Sequence, residues 1–178
     1  MSFTVLTAAT EDWRQLLTFT ASINRQWAET YGGKLVEATI RPDGRPAAWA
    51  KLKLIACHLK APVIWVDADC VIRQEAMPVD FLAHPGEFRT AFDENGPNCG
   101  GMAFTPEAWT ERLIHEWQTD ATDEEIHSAW WEQTTLHRML GDKRTYDRLG
   151  KPIPADSFCH ASGISGAEKK LRFLLDSL

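Results

Sequence analysis

Two aspartates one residue apart, Asp67 and Asp69, close an apolar, β-rich run, Val63-Ile-Trp-Val66. If that run continues as a strand through Asp69, residues i and i+2 share a face, and both carboxylates emerge together at its carboxyl end. In open α/β sheets that edge is where ligands sit. At a separation of about 4 Å and an effective dielectric of about 20, two carboxylates repel by up to ~4 kcal/mol. A divalent cation removes that repulsion and leaves positive charge for a phosphate. The plainer alternative has one carboxylate capping the next turn and the other solvated. Elsewhere the reactive residue types are sparse. Cys57, Cys70, Cys99 and Cys159 form no CxxC pair and no zinc spacing, so they read as buried free thiols of a reducing compartment. His115-Glu116 lacks the second histidine of a zinc-protease helix. Most of the eight tryptophans fall at core spacing; Trp13, just past the first strand, is left open for stacking on a base.

Alternating strands and helices must carry these groups. Phe3 to Ala9 reads as a buried strand. A helix follows through Leu16, Leu17, Thr20, Ile23, Asn24 and Trp27, with Glu11 and Asp12 suited to its first turn, and Gly32-Gly33 stops it. Leu35 to Ile40 is a second strand. Trp49, Leu52, Ile55, Ala56 and Leu59 mark a second helix ahead of a third strand, Val63 to Asp69. Strand–helix–strand–helix–strand argues a parallel sheet with crossover helices. Further on, Phe88 to Phe92 and Gly101 to Phe104 are strand candidates around an Asp93–Pro97 turn. Pro106 to Trp117 and Trp130 to Leu140 are helical, Lys143 to Gly166 is a long loop region, and Glu168 to Leu178 is a closing helix.

A chain of 178 residues with 44% hydrophobic and 25% charged residues suits one globular domain, 1–178. Its net charge of −6, with no Lys/Arg cluster, argues against a nucleic-acid partner. No run is apolar enough to span a membrane, and Met1 to Thr10 has no signal-peptide pattern, so a cytoplasmic location is expected.

Lys51-Leu-Lys-Leu-Ile followed by Val63-Ile-Trp-Val-Asp-Ala-Asp-Cys-Val-Ile72 resembles the D-x-D core of GT-A glycosyltransferases. Three later segments match that family in order. Asn98-Cys-Gly-Gly-Met-Ala-Phe-Thr-Pro-Glu-Ala-Trp109 is similar to its N-x-G strand and following helix. Trp131-Glu-Gln-Thr-Thr-Leu136 is similar to its D/E-Q pair, and His160-Ala-Ser-Gly163 to the H-x-x-G segment of glycogenin-like and lipopolysaccharide sugar transferases. The resemblance implies a Rossmann-like α/β domain with a mixed sheet, flanking helices and the D-x-D at the end of a central strand. It implies a glycosyltransferase using a nucleotide-diphosphate sugar, expected to be UDP-linked, and an unspecified acceptor.

The cofactor so implied is Mn2+, or Mg2+, on Asp67, Asp69 and His160, although His160 suits a backbone-bonded loop histidine equally. Thr7, Ala8 and Ala9 would lie against the nucleobase, and Gly163 belongs to the histidine motif. Asn98, Gly100 and Gly101 would approach sugar hydroxyls, where a tight turn is the alternative. Glu132 and Gln133 would flank the anomeric carbon as the catalytic pair, where ordinary first-turn polarity is the alternative. Lys51 and Lys53 are phosphate or sugar contacts, or a solvated helix face. Two departures from the family stand out. Gly166 occupies the position of a lysine that grips the diphosphate, so Lys169 or Lys170 would have to substitute, and the chain is short for the fold. Two other functions compete: a nucleotide-sugar-binding domain without turnover, and a haloacid-dehalogenase-like phosphatase, whose nucleophilic aspartate also sits in a D-x-D after an apolar strand.

Overall fold

The computed structural model describes residues 2–41, 43–82, 84–161 and 164–177. In chain order the elements are β1 (Thr4–Ala9), α1 (Arg14–Thr30), β2 (Lys34–Thr39), α2 (Ala50–His58), β3 (Val63–Val66), β4 (Cys70–Ile72), α3 (Pro78–Phe81), β5 (Phe88–Asp93), β6 (Gly96–Phe104), α4 (Ala108–Thr119), α5 (Asp123–Ile126), α6 (Glu132–Leu140), α7 (Lys143–Tyr146), β7 (Phe158–His160) and α8 (Ala167–Ser177).

β1 and β3 are buried along their whole length, as strands covered on both faces must be, whereas in the edge strand β2 only Leu35 is buried. The main sheet runs β2-β1-β3-β6-β5, with β3 at its centre. β1 is parallel to β2 and β3, as the strand–helix alternation predicts, while β6 and β5 are antiparallel and make the sheet mixed. Neighbouring side chains of one strand feed opposite cores. Leu6 and Trp65 meet Leu52 and Ile55 of α2 and Trp117 of α4, while Val5, Ile64 and Val66 meet Leu17, Ala21 and Trp27 of α1. Leu52, Ile55 and Ile64 are fully buried, each contributing roughly 1.5–3 kcal/mol.

Several boundaries differ from the sequence expectation. Glu11 and Asp12 form a separate 3-10 turn ahead of α1 rather than its first turn. The third strand ends at Val66, not Asp69, and the chain resumes as β4, which pairs antiparallel with β7 in a small second sheet. The expected loop from Lys143 to Gly166 contains α7 and β7, both too short to carry a readable period. Helix α6 begins at Glu132 rather than Trp130, because Trp131 has φ 44° and no residue in that conformation continues a right-handed helix. Of the cysteines, Cys57 is exposed and the other three are buried. Among the described residues, no helix is long and apolar enough to cross a membrane.

Candidate functional site

A turn, not strand alternation, brings the two aspartates together. The Asp67 N–H donates to the Gly100 carbonyl on β6 (2.8 Å), and the Cys70 N–H then reaches back to the Asp67 carbonyl (3.0 Å). Helix α1 clamps this turn. The Thr20 hydroxyl donates to the Ala68 carbonyl (2.9 Å), and buried Asn24 brackets β4, donating to Cys70 O (3.1 Å) and accepting from Ile72 N–H (2.8 Å). Thr20 and Asn24 are site-positioning residues that motif reading passes over. Their signal in the sequence is polarity on the otherwise apolar face of an amphipathic helix.

Register then delivers a third group. β7 pairs with β4 so that His160 faces Cys70, one residue from Asp69. Ligand atoms of Asp67, Asp69 and His160 lie within 4.8 Å of one another, a set of two carboxylates and an imidazole that could hold a divalent cation. His160 Nε2 stands 3.4 Å from Asp69 Oδ1, and Lys170 of α8 bonds Asp69 Oδ2. Burial alone would raise the Asp69 pKa, but His160 and Lys170 hold it well below the carboxylate range. Burial likewise opposes charge on His160, and the Asp69 carboxylate outweighs it, so the imidazole is shifted up.

Behind Asp67 lies a buried ionic cluster. Lys51 Nζ contacts Asp67 Oδ1 (2.9 Å), Glu132 Oε1 (2.7 Å) and the Cys99 carbonyl (3.2 Å), and sits 5.6 Å above the Trp65 ring. Lys51 is therefore no solvated face; Lys53 is exposed. Burial pulls the Lys51 pKa down, but Asp67 and Glu132 outweigh it and the net shift is upward. Burial raises Glu132, with Lys51 opposing. Trp65 Nε1–H donates to Asp67 Oδ1 (2.7 Å), so that oxygen is doubly engaged. Among the described residues, Glu132 Oε2 has no hydrogen-bond partner. Gln133 Oε1 accepts the Cys99 N–H (3.1 Å), and the Glu132 carbonyl accepts from Trp117 Nε1 (2.8 Å), fixing the start of α6 against β6 and α4. Burial raises the Cys70 and Cys99 thiols, which suits packing rather than thiolate chemistry.

Lys51, Asp67 and Asp69 border a cavity of about 490 Å³ at the carboxyl ends of β1 and β3, whereas His160, Glu132 and Gln133 are not part of its lining. Of the expected site residues, Ala8, Ala9, Trp13, Lys51, Asp67 and Asp69 line it, joined by Trp131, Gly166 and Lys170. Gly166 has φ +88°, and four residues on Lys170 enters the cavity while Lys169 stays exposed. Lys170 also lies 5.6 Å from the centre of the Trp13 ring.

Thr7 is buried away from the cavity. Asn98, Gly100 and Gly101 do not line it and make no tight turn; they belong to β6. Asn98 Oδ1 accepts the Gly100 N–H (2.6 Å), and its amide donates to Asp93 (2.5 Å). A Cβ on Gly100 would stand 2.9 Å from His160 Cε1, and one on Gly101 2.6 Å from the Phe158 ring. The two glycines thus let β7 lie close over β6. Gly163 lies outside the described residues. Trp131 is the one non-glycine residue with positive φ among those described, a conformation that costs roughly 1–3 kcal/mol.

The fold is a Rossmann-like one shared with glycosyltransferases of known structure. The chain matches a glycosyltransferase involved in the glycosylation of the major capsid of PBCV-1 with a TM-score of 0.75 and 12% identity, over 98% of this chain and 100% of that one. It also matches the glycosyltransferase GlyE of Streptococcus pneumoniae TIGR4, with a TM-score of 0.56 and 13% identity, spanning 98% of this chain and 60% of GlyE's. No family model matches the chain, and no curated protein matches it by sequence.

Proposed function

We propose that this chain is a metal-dependent glycosyltransferase acting as one unit over residues 1–178, taking a UDP-linked sugar and passing it to an acceptor hydroxyl. The observation that carries the reading is the convergence of Asp67, Asp69 and His160 beside a cavity that Lys170 also enters. The match over 100% of the PBCV-1 glycosyltransferase chain supports reading these residues as one transferase unit.

Two carboxylates and an imidazole fit Mn2+ better than Mg2+, which prefers oxygen alone. Asp67 offers Oδ2, which has no hydrogen-bond partner among the described residues, while Oδ1 serves Lys51 and Trp65. When bound, the ion supplies Lewis-acid neutralisation of the diphosphate. Lys170, in place of the family lysine missing at Gly166, binds the diphosphate, exchanging Asp69 for phosphate oxygens. Ala8, Ala9 and Trp13 face the base. Glu132 and Gln133 back the anomeric-carbon end of the site from the start of α6, Glu132 from the buried side of Lys51, which holds Asp67 and Glu132 in place. In the transfer, the acceptor oxygen bonds to the anomeric carbon as the bond to the phosphate oxygen breaks. The electron pair leaves on UDP, and the hydroxyl proton passes to the leaving diphosphate or to solvent.

Donor hydrolysis tests this without knowledge of the acceptor. UDP release from UDP-glucose, UDP-galactose or UDP-N-acetylglucosamine should require Mn2+, stop with EDTA, and fall at least about 100-fold in Asp67→Asn, as loss of a metal-held charge does. Mn2+-dependent UDP binding with no turnover of any donor would instead favour the binding-domain reading.

A further inference from the structure

We propose that Trp131 is the platform on which a saccharide acceptor stacks, so that its reacting hydroxyl approaches the donor from the α6 end of the cavity. The inference rests on the nucleotide-sugar reading above. Contacts across the site define a direction. Trp13 lies under Lys170, Lys170 pairs with Asp69, Asp69 neighbours Asp67, Asp67 meets Lys51, Lys51 meets Glu132, and Glu132 follows Trp131 in the chain. Trp13 and Trp131 are therefore the first and last members of this series of contacts, and both line the cavity. Lys170 puts the diphosphate and base at the Trp13 end. The donor sugar then extends towards Lys51, and the acceptor takes the space beyond, which Trp131 borders.

The ring is displayed, not packed. Trp131 is 45% exposed. Its φ of 44° is one that glycine adopts without strain, yet the position carries the largest side chain. Its carbonyl accepts from Thr134 N–H (3.1 Å), anchoring it to the first turn of α6. A single flat indole face suits a pyranose, which has an apolar C–H face and hydroxylated edges. A lipid acceptor would want a continuous apolar groove, but the adjacent Trp130 packs edge-on to His137 and does not line the cavity. The transfer itself is as written above, with water replacing the saccharide in hydrolysis.

The test is a partition ratio: sugar transferred to an acceptor against sugar lost to water, from whichever UDP-sugar is hydrolysed fastest. The acceptor probes are the α- and β-methyl glycosides of glucose, galactose, mannose and N-acetylglucosamine. At least one should divert the donor from water in the unaltered protein. The ratio should fall about tenfold or more in Trp131→Gly, as loss of an aromatic stacking partner predicts, and recover in Trp131→Phe. Trp131→Gly should fold, since it relieves a positive φ, and its unfolding midpoint verifies this. Trp130→Ala should leave the ratio within about twofold, because Trp130 lies outside the cavity. The inference is overturned if no glycoside competes with water, if Trp131→Gly keeps the ratio, or if Trp131→Phe fails to restore it. A raised donor KM with an unchanged ratio would also overturn it, moving Trp131 to the donor site. Failure of the underlying reading looks different: no UDP-sugar is hydrolysed, and UDP with Mn2+ does not raise the unfolding temperature.

Discussion

Lys51 shows how a single buried charge can organise a site. With side-chain exposures of 5% for Lys51 and 4% for Glu132, the pair tolerates burial only because each neutralises the other. Lys51→Met should therefore strand Glu132 and weaken the hold on Asp67, costing about 3–5 kcal/mol in urea unfolding. Lys51→Met with Glu132→Gln should recover much of that loss, because no buried charge is left alone. Equal stability of the single and double variants would contradict the cluster. The sequence shows Lys51 as one of two lysines on a helix, Lys51 and Lys53, with nothing local to separate them. Only the partners distinguish them, and Asp67 and Glu132 lie 16 and 81 residues further along the chain. Lys170 is the opposite case. The vacancy at Gly166 pointed to Lys169 or Lys170, and helical geometry from Ala167 onward decides for Lys170.

At the scale of elements, the site depends on β7 lying close over β6. Gly101→Ala would place a Cβ 2.6 Å from the Phe158 ring and should cost about 1–3 kcal/mol of stability, read from denaturant unfolding. Gly100→Ala presses on His160 instead, so its mark should be a smaller Mn2+-dependent rise in unfolding temperature. A normal metal response in that variant would remove His160 from the ligand set.

The α5–α6 junction carries a pH signature. Arg138 donates to Glu125 (2.6 Å) and, by that bond, lowers the carboxyl below its ordinary 4.5. A carboxyl lowered on folding stabilises above its unfolded pKa, and that contribution is lost as pH falls through the folded value. Arg138→Ala should thus cost about 0.5 kcal/mol near neutrality, little because Arg138 is half exposed and salt screens the pair. Paired unfolding curves from pH 7 to the acid side should show the difference vanish below the lowered Glu125 pKa. A difference that persists in acid would assign the effect to packing. Long periodic elements such as α1 and the buried β1 were legible in sequence. The three-residue strands β4 and β7 were not, since pairing between residues about 90 apart creates them.

Across the whole molecule, a half-parallel, half-antiparallel sheet sets β3 at the centre and makes its end the floor of the cavity. The D-x-D and its place after a central strand were legible because apolar runs and acidic pairs are local patterns. The mechanism that brings the carboxylates together was not. A turn held by Thr20 and by Gly100 does what strand alternation was expected to do.

Thermal unfolding with UDP, with and without Mn2+, compared between the unaltered chain and Asp69→Ala, tests the central claim most directly. A ligand at about 100 times its Kd should stabilise the fold by ~2.7 kcal/mol, a rise of several degrees. The predicted result is a rise that needs UDP and Mn2+ together and disappears in Asp69→Ala. No rise with UDP and Mn2+, or an equal rise in Asp69→Ala, would contradict a metal-held nucleotide at this site.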